Sequence, residues 1–216
     1  MIAEEPATIA VPDGVTLEAK IAVSSPASGG IVICHPHPLY GGDMDNPVVV
    51  RIAEVASGLG WSTLRFNFRA VGRSTGAHGG GEAEQGDVLA AIDHLRARAG
   101  LPSRSIVLAG YSFGAAMSAK VGATSELAGL ALIAPPLSIT GLERLDGLAS
   151  IATPLLIAAG SNDQYCPLPV LDRARTELPQ ATVHVIDGAD HFFFGKLFPV
   201  GEVVREWLGR LQLGQA

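Results

Sequence analysis

The sequence predicts an α/β fold, a mostly parallel sheet with helices on both faces. Three observations predict it. Short continuous apolar runs, such as Ile31-Val32-Ile33-Cys34 and Ile106-Val107-Leu108-Ala109, read as strands buried on both faces. Segments with apolar residues three and four apart alternate with those runs, which is the β-α order of a parallel sheet. The chain is 48% hydrophobic yet only 6% aromatic, so Ala, Val, Leu and Ile fill the core. Its 216 residues fit one such domain, spanning 1–216, and leave little for a second.

The elements follow in order. Residues 8–11 and 17–23 flank the turn Pro12-Asp13-Gly14 and read as an antiparallel hairpin at a sheet edge. Residues 31–34 form a central strand. Residues 48–58 have helical spacing, with Val48, Ile52 and Val55 on one face and Leu59 continuing it. A strand over 61–68 and a helix over 87–99 come next, the helix burying Val88, Ile92 and Leu95. Strand 106–109 runs into a small-residue helix over 115–119. Strand 127–133 stops at Pro135-Pro136. Strands over 154–159 and 183–186 and a final helix carrying Val203, Val204, Trp207, Leu208 and Leu211 complete the chain. Only residues 134–153 separate two of these strands, room for a short helix around 142–149 and no large cap.

Composition excludes several classes. Net charge is −6 and no Lys/Arg cluster exists to neutralise phosphates, so no nucleic-acid partner is expected. The opening Met1-Ile2-Ala3-Glu4-Glu5-Pro6 lacks the basic and apolar segments of a signal peptide, and no apolar run is long enough to span a bilayer. A cytoplasmic chain without membrane contact is expected. Cys34 ends a strand and reads as a small buried hydrophobe, and Cys166 falls three residues after Asp163, at the rim. Neither a disulfide nor a structural metal is expected from two cysteines in a reducing compartment. No cofactor is implied.

The chemistry gathers around Gly110-Tyr111-Ser112-Phe113-Gly114, directly after an apolar strand and before a helix. A serine at the tip of so sharp a turn stands clear of the backbone, and the flanking glycines remove the clash that side chains would make. A serine nucleophile needs a base, and the base needs an orienting acid. Asp163 follows the strand over 154–159, and His191 lies in the loop after 183–186. The order Ser112, Asp163, His191 suits a catalytic triad. Asp187 and Asp190 are nearer His191 in sequence. Asp187-Gly188 reads as turn chemistry, and Asp190 as a cap of the following helix. His184 alternates with valines as a strand residue, His94 reads as a surface helical residue, and His78 in its glycine-rich loop has no obvious partner.

Acyl transfer also needs two N–H donors aimed at the developing oxyanion. Phe113, the residue after the nucleophile, supplies one. The loop His35-Pro36-His37-Pro38-Leu39-Tyr40 supplies the other from His37, Leu39 or Tyr40, because proline has no N–H. A metal reading of His35 and His37 lacks a third ligand. His35 reads instead as a hydrogen-bonded loop anchor.

These residues resemble the α/β-hydrolase superfamily. The stretches from Cys34-His35-Pro36-His37-Pro38 to Gly41-Gly42-Asp43-Met44-Asp45-Asn46, and Arg65-Phe66-Asn67-Phe68-Arg69-Ala70-Val71-Gly72-Arg73-Ser74, look like a small bacterial group. Its members are compact, lidless hydrolases related to dienelactone-hydrolase-like and acyl-peptidase-like enzymes. The resemblance covers nearly the whole chain. It implies His37 as the second oxyanion donor, by match to the superfamily's H-G-x motif. Ala70 stands where the group usually has glycine, and Arg69 reads as structural. The resemblance implies a serine hydrolase acting on small carboxylic esters, with Ser112, His191 and Asp163 as its triad. Thioester or small-peptide cleavage would use the same triad, and a non-catalytic binding relative of the fold is the alternative of a different class. A rim of Leu39, Tyr40, Phe113, Tyr165, Phe192 and Phe193 suits a shallow apolar cleft. A homodimer whose partner covers the site is left open.

Overall fold

The computed structural model describes residues 3–141, 145 and 147–211. Eight strands form one sheet in the order β1-β2-β4-β3-β5-β6-β7-β8. β1 (Glu5–Ala10) and β2 (Thr16–Ala22) pair antiparallel, with Ile9 opposite Leu17, and make the edge hairpin. β2 also runs antiparallel to β4 (Ser62–Phe66). From β4 onward every pairing is parallel, through β3 (Gly30–Cys34), β5 (Ile106–Tyr111), β6 (Gly129–Ile133), β7 (Leu155–Gly160) and β8 (Ala181–Ile186).

Two apolar layers sandwich the sheet. On one face Val32, Leu64, Leu108, Leu130 and Ile157 join α2 (Glu84–Ala99), α3 (Phe113–Gly122) and α5 (Leu168–Glu177). On the other Ile31, Val107, Ala131 and Leu156 join α1 (Pro47–Gly58) and α6 (Leu197–Arg210). Strand residues that alternate between faces are therefore buried on both sides, which explains the unbroken apolar runs. β3, β5 and β6 are buried at every position, whereas β8, at the edge, buries only Ile186 fully.

The expected elements are present with shifted ends, and α5 is an addition. The strand at 61–68 pairs only over Ser62–Phe66. α6 begins at Leu197, well before the apolar cluster at 203–211 that announced it. After Pro135-Pro136 comes a single turn, α4 (Leu137–Thr140). Part of the short helix expected around 142–149, namely 142–144 and 146, lies outside the described residues. No described helix is long and apolar enough to cross a membrane.

Candidate active site

Parallel strands bring their carboxyl ends to one edge of the sheet, where ligands of α/β folds bind. β5 ends at Tyr111, β7 at Gly160 and β8 at Ile186, and each hands one side chain to that edge.

Ser112 sits between β5 and α3 with φ 55° and ψ −115°, a strained conformation for a residue with a Cβ. Two close backbone approaches hold it there. A Cβ on Gly110 would overlap the Gly114 carbonyl, and a Cβ on Gly114 would overlap the Cys34 carbonyl. The Ser112 N–H is tied to the Ile133 carbonyl of β6 at 2.9 Å. The glycines thus fix the turn and press the start of α3 against the loop after β3.

Asp163 and His191 lie in loops that are stitched together. Asn162 N–H donates to the Ala189 carbonyl (2.9 Å) and Gly188 N–H to Ser161 Oγ (2.9 Å). Gly160 lets the Ala189 carbonyl pass where a side chain would stand. The buried Asp163 carboxylate accepts N–H bonds from Tyr165 (2.8 Å) and Cys166 (3.0 Å). It lies 2.9 Å from His191 Nδ1, and His191 Nε2 lies 3.0 Å from Ser112 Oγ. With Nδ1–H given to the carboxylate, Nε2 is the acceptor facing the serine. Tyr111, which sequence reading passed over, donates its hydroxyl to the His191 carbonyl at 2.9 Å and braces the loop from below. No sequence signal distinguishes that hydroxyl from an apolar ring.

The rival acids are placed elsewhere. Asp190 caps no helix: its Oδ1 accepts the Phe192 N–H (3.0 Å) in a tight turn, seven residues before α6 begins. Asp187 precedes Gly188, which turns with φ 66°. His184 is an exposed residue of β8.

On the other side of Ser112 lies the loop after β3. His35 is fully buried; its Nε2 accepts the Phe68 N–H (3.0 Å) and its Nδ1 donates to the Pro36 carbonyl (2.6 Å). Both ring nitrogens are spent on holding the loop, so His35 cannot be a metal ligand. Burial pushes its pKa down to about 4. Leu39 N–H goes to His37 Nδ1 (3.2 Å), and Tyr40 N–H to the His37 carbonyl (3.1 Å). Of the loop N–H groups in question, only that of His37 has no acceptor among the described residues. Phe113 N–H, on the first residue of α3, is likewise without one. Among the described residues no group of three or more His, Cys, Asp or Glu side chains could hold a metal.

Leu39, Tyr40 and Phe192 are exposed, and the Tyr165 and Phe192 rings pack on His191 at 4.6 and 5.5 Å between centroids. Phe193 is not a rim residue. It is fully buried at φ 55°, its ring 6.0 Å from that of Tyr111, and exposed Phe194 stacks on Phe192 instead. Cys166 is buried beneath the rim, its thiol pushed up to about 12 by burial and by the Asp163 charge. His94 is half-buried rather than a surface residue. Arg69 is structural: its guanidinium reaches Asp87 at 2.7 Å and Asp13 at 2.9 Å, and Asp87 is fully buried.

A strand-borne strained serine backed by a buried His-Asp pair, on a doubly covered parallel sheet, defines the α/β-hydrolase class. The chain belongs to the α/β hydrolase domain family, whose model matches residues 31–197. It is similar to an α/β serine hydrolase homologue from Coxiella burnetii, with 35% identity, 95% of this chain and 98% of the other covered, and a TM-score of 0.85. A lidless α/β serine hydrolase from Xanthomonas campestris shares 29% identity with a TM-score of 0.84, covering 99% and 97% of the two chains. An uncharacterised Rickettsia prowazekii protein is 31% identical over 209 residues, 93% of this chain and 87% of its own.

Proposed function

We propose that this chain is a serine hydrolase that cleaves small carboxylic esters through an acyl-enzyme. One observation carries the reading: Ser112 Oγ, His191 and Asp163 form a continuous hydrogen-bonded chain with separations of 3.0 and 2.9 Å. In the first step Ser112 Oγ attacks the ester carbonyl while His191 Nε2 takes its proton. Asp163 holds the tautomer and balances the imidazolium charge. The unpaired N–H groups of Phe113 and His37 receive the oxyanion. The tetrahedral adduct collapses, the alkoxide leaves with the proton from His191, and water repeats the sequence to release the acid. Exposed Leu39, Tyr40 and Phe192 with half-buried Tyr165 offer the substrate a shallow apolar surface.

The test is labelling by a fluorophosphonate probe together with hydrolysis of p-nitrophenyl acetate. Ser112→Ala is expected to abolish both while leaving the folded state intact by circular dichroism. An alanine variant retaining most of the wild-type kcat would refute the assignment.

A further inference from the structure

On the oxyanion-loop side of Phe113 lies a second imidazole–carboxylate pair. Glu84 opens α2 and is fully buried. Its carboxylate accepts N–H bonds from Gly79 (2.7 Å) and Gly81 (2.8 Å), and His78 Nδ1 lies 2.9 Å from Oε1. That approach is close but poorly directed for a hydrogen bond. Such a contact is attractive only with a proton on Nδ1. The Glu84 charge is also spread over the two glycine N–H groups and the first turn of α2. Clamping the glycine loop takes only those two N–H bonds, so the loop does not need a histidine.

The His78 ring lies 5.4 Å from that of His37 and 5.9 Å from that of Phe113, and His37 lies 4.9 Å from Phe113. His78 therefore flanks both residues that offer oxyanion donors. Its side chain is 15% exposed, enough to be reached from solvent. His37 Nδ1 accepts the Leu39 N–H, which places the His37 proton on Nε2. Burial, and then the neighbouring His78, push the His37 pKa down, and Glu84 pulls it the other way. Nε2 of His37 and Nε2 of His78 have no protein partner among the described residues.

We propose that His78 and His37 form an anion subsite beside the scissile carbonyl, so that the preferred substrate is an ester whose acyl group ends in a carboxylate. The class is the half-esters of short dicarboxylic acids. The inference rests on the ester-hydrolase reading above. With the Glu84 carboxylate at Nδ1 and the substrate carboxylate at Nε2, the bound state holds a proton on each nitrogen of His78, so that two Nε2–H donors meet the two carboxylate oxygens. The N-terminus of α3, which begins at Phe113, adds favourable potential for an anion.

The test compares p-nitrophenyl hydrogen glutarate with p-nitrophenyl valerate, esters of similar length ending in a carboxylate and a methyl group. Wild-type kcat/KM is expected to be about 10-fold higher for the anionic ester, and His78→Gln to bring the ratio to about one or below. A wild-type ratio of one or less overturns the subsite, as does a ratio that His78→Gln leaves unchanged. Calorimetric binding of glutarate to Ser112→Ala supplies a readout independent of turnover. Binding that is lost on adding His78→Gln supports the proposal, and no binding to Ser112→Ala overturns it. Should wild type cleave neither ester while Ser112→Ala binds glutarate, the subsite stands and the esterase reading falls.

Discussion

Asp163, Asp187 and Asp190 all precede His191 in the chain, and the residue furthest away holds its ring. Adjacency does not aim a carboxylate; the strand end and the stitched loops do. Asp163 accepts two backbone N–H bonds that fix it against Nδ1, while Asp190 spends its oxygen on Phe192. Asp163→Asn is expected to lower kcat by roughly 10³- to 10⁴-fold, by favouring the wrong imidazole tautomer. Asp190→Asn should cost less than about 10-fold, since an amide oxygen still accepts the same N–H. Parallel kinetics decide it, and the reverse ranking would move the acid into the histidine loop. His35 gives a prediction on stability. Its folded pKa of about 4 lies below the ordinary histidine value of 6.5, so the unfolded chain binds the proton more readily. The contribution is whole above pH 6.5 and is lost as pH falls towards 4, with an upper bound of about 3 kcal/mol. Half-buried His37 and His94, their pKa values also lowered, push in the same direction. Urea unfolding from pH 6.5 to 5 should therefore show falling stability, and His35→Gln should flatten the slope. An unchanged slope would mean that His35 titrates normally in the folded protein. The anchoring role of His35 was legible because proline follows it in a loop. The partner of His78 was not, because Glu84 lies six residues on, across a turn that only glycine geometry reveals.

At the scale of elements, the strand-turn-helix around Ser112 was the most legible part of the chain. Its two glycines have a single steric purpose, and the close approaches at Gly110 and Gly114 display it. Element ends were less legible, since β4 stops pairing at Phe66 although the apolar pattern continues to Phe68. Asp190 before an aromatic run imitates a helix start, yet the chain makes turns until Leu197. α5 gave little signal because it buries only Leu171 and Ala174. The rim loop after β4 carries a departure with a physical cost. Ala70 is exposed and adopts φ 65°, a left-handed conformation that glycine takes freely and alanine does not. Arg69 holds the preceding residue through Asp87, so the loop cannot relax the angle. Ala70→Gly is expected to raise stability by up to about 1 kcal/mol, the steric relief being partly offset by unfolded-chain entropy. Chemical denaturation measures it, and a loss of stability would show that the Ala70 backbone is not strained.

For the molecule as a whole, the sheet order decides what kind of cleft Ser112, His191 and Asp163 face. β6 and β7 are neighbours, and the connection between them, residues 134–154, contributes one turn of α-helix at Leu137–Thr140 and 3-10 positions at Leu145, Gly147 and Leu148 among its described residues. A cap able to wall in a long chain needs several helices, and this connection is too short to build them. The apolar surface near Ser112 is instead open: Leu39 is 68% exposed, Tyr40 86% and Phe192 53%. Each methylene of an acyl chain contributes about 0.8 kcal/mol only where it leaves water completely. On an open rim that gain should stop after a few carbons, while the cost of ordering a longer chain keeps growing. Across p-nitrophenyl esters from acetate to palmitate, kcat/KM is therefore expected to peak at short acyl chains and then level or fall, with Ser112→Ala as the control. A steady climb to palmitate would overturn the open-cleft reading and require a cover over Tyr40 and Phe192. A second copy of the chain is one source of such a cover. In that case the long-chain preference would vanish on dilution, as the dimer dissociates and the rim returns to water.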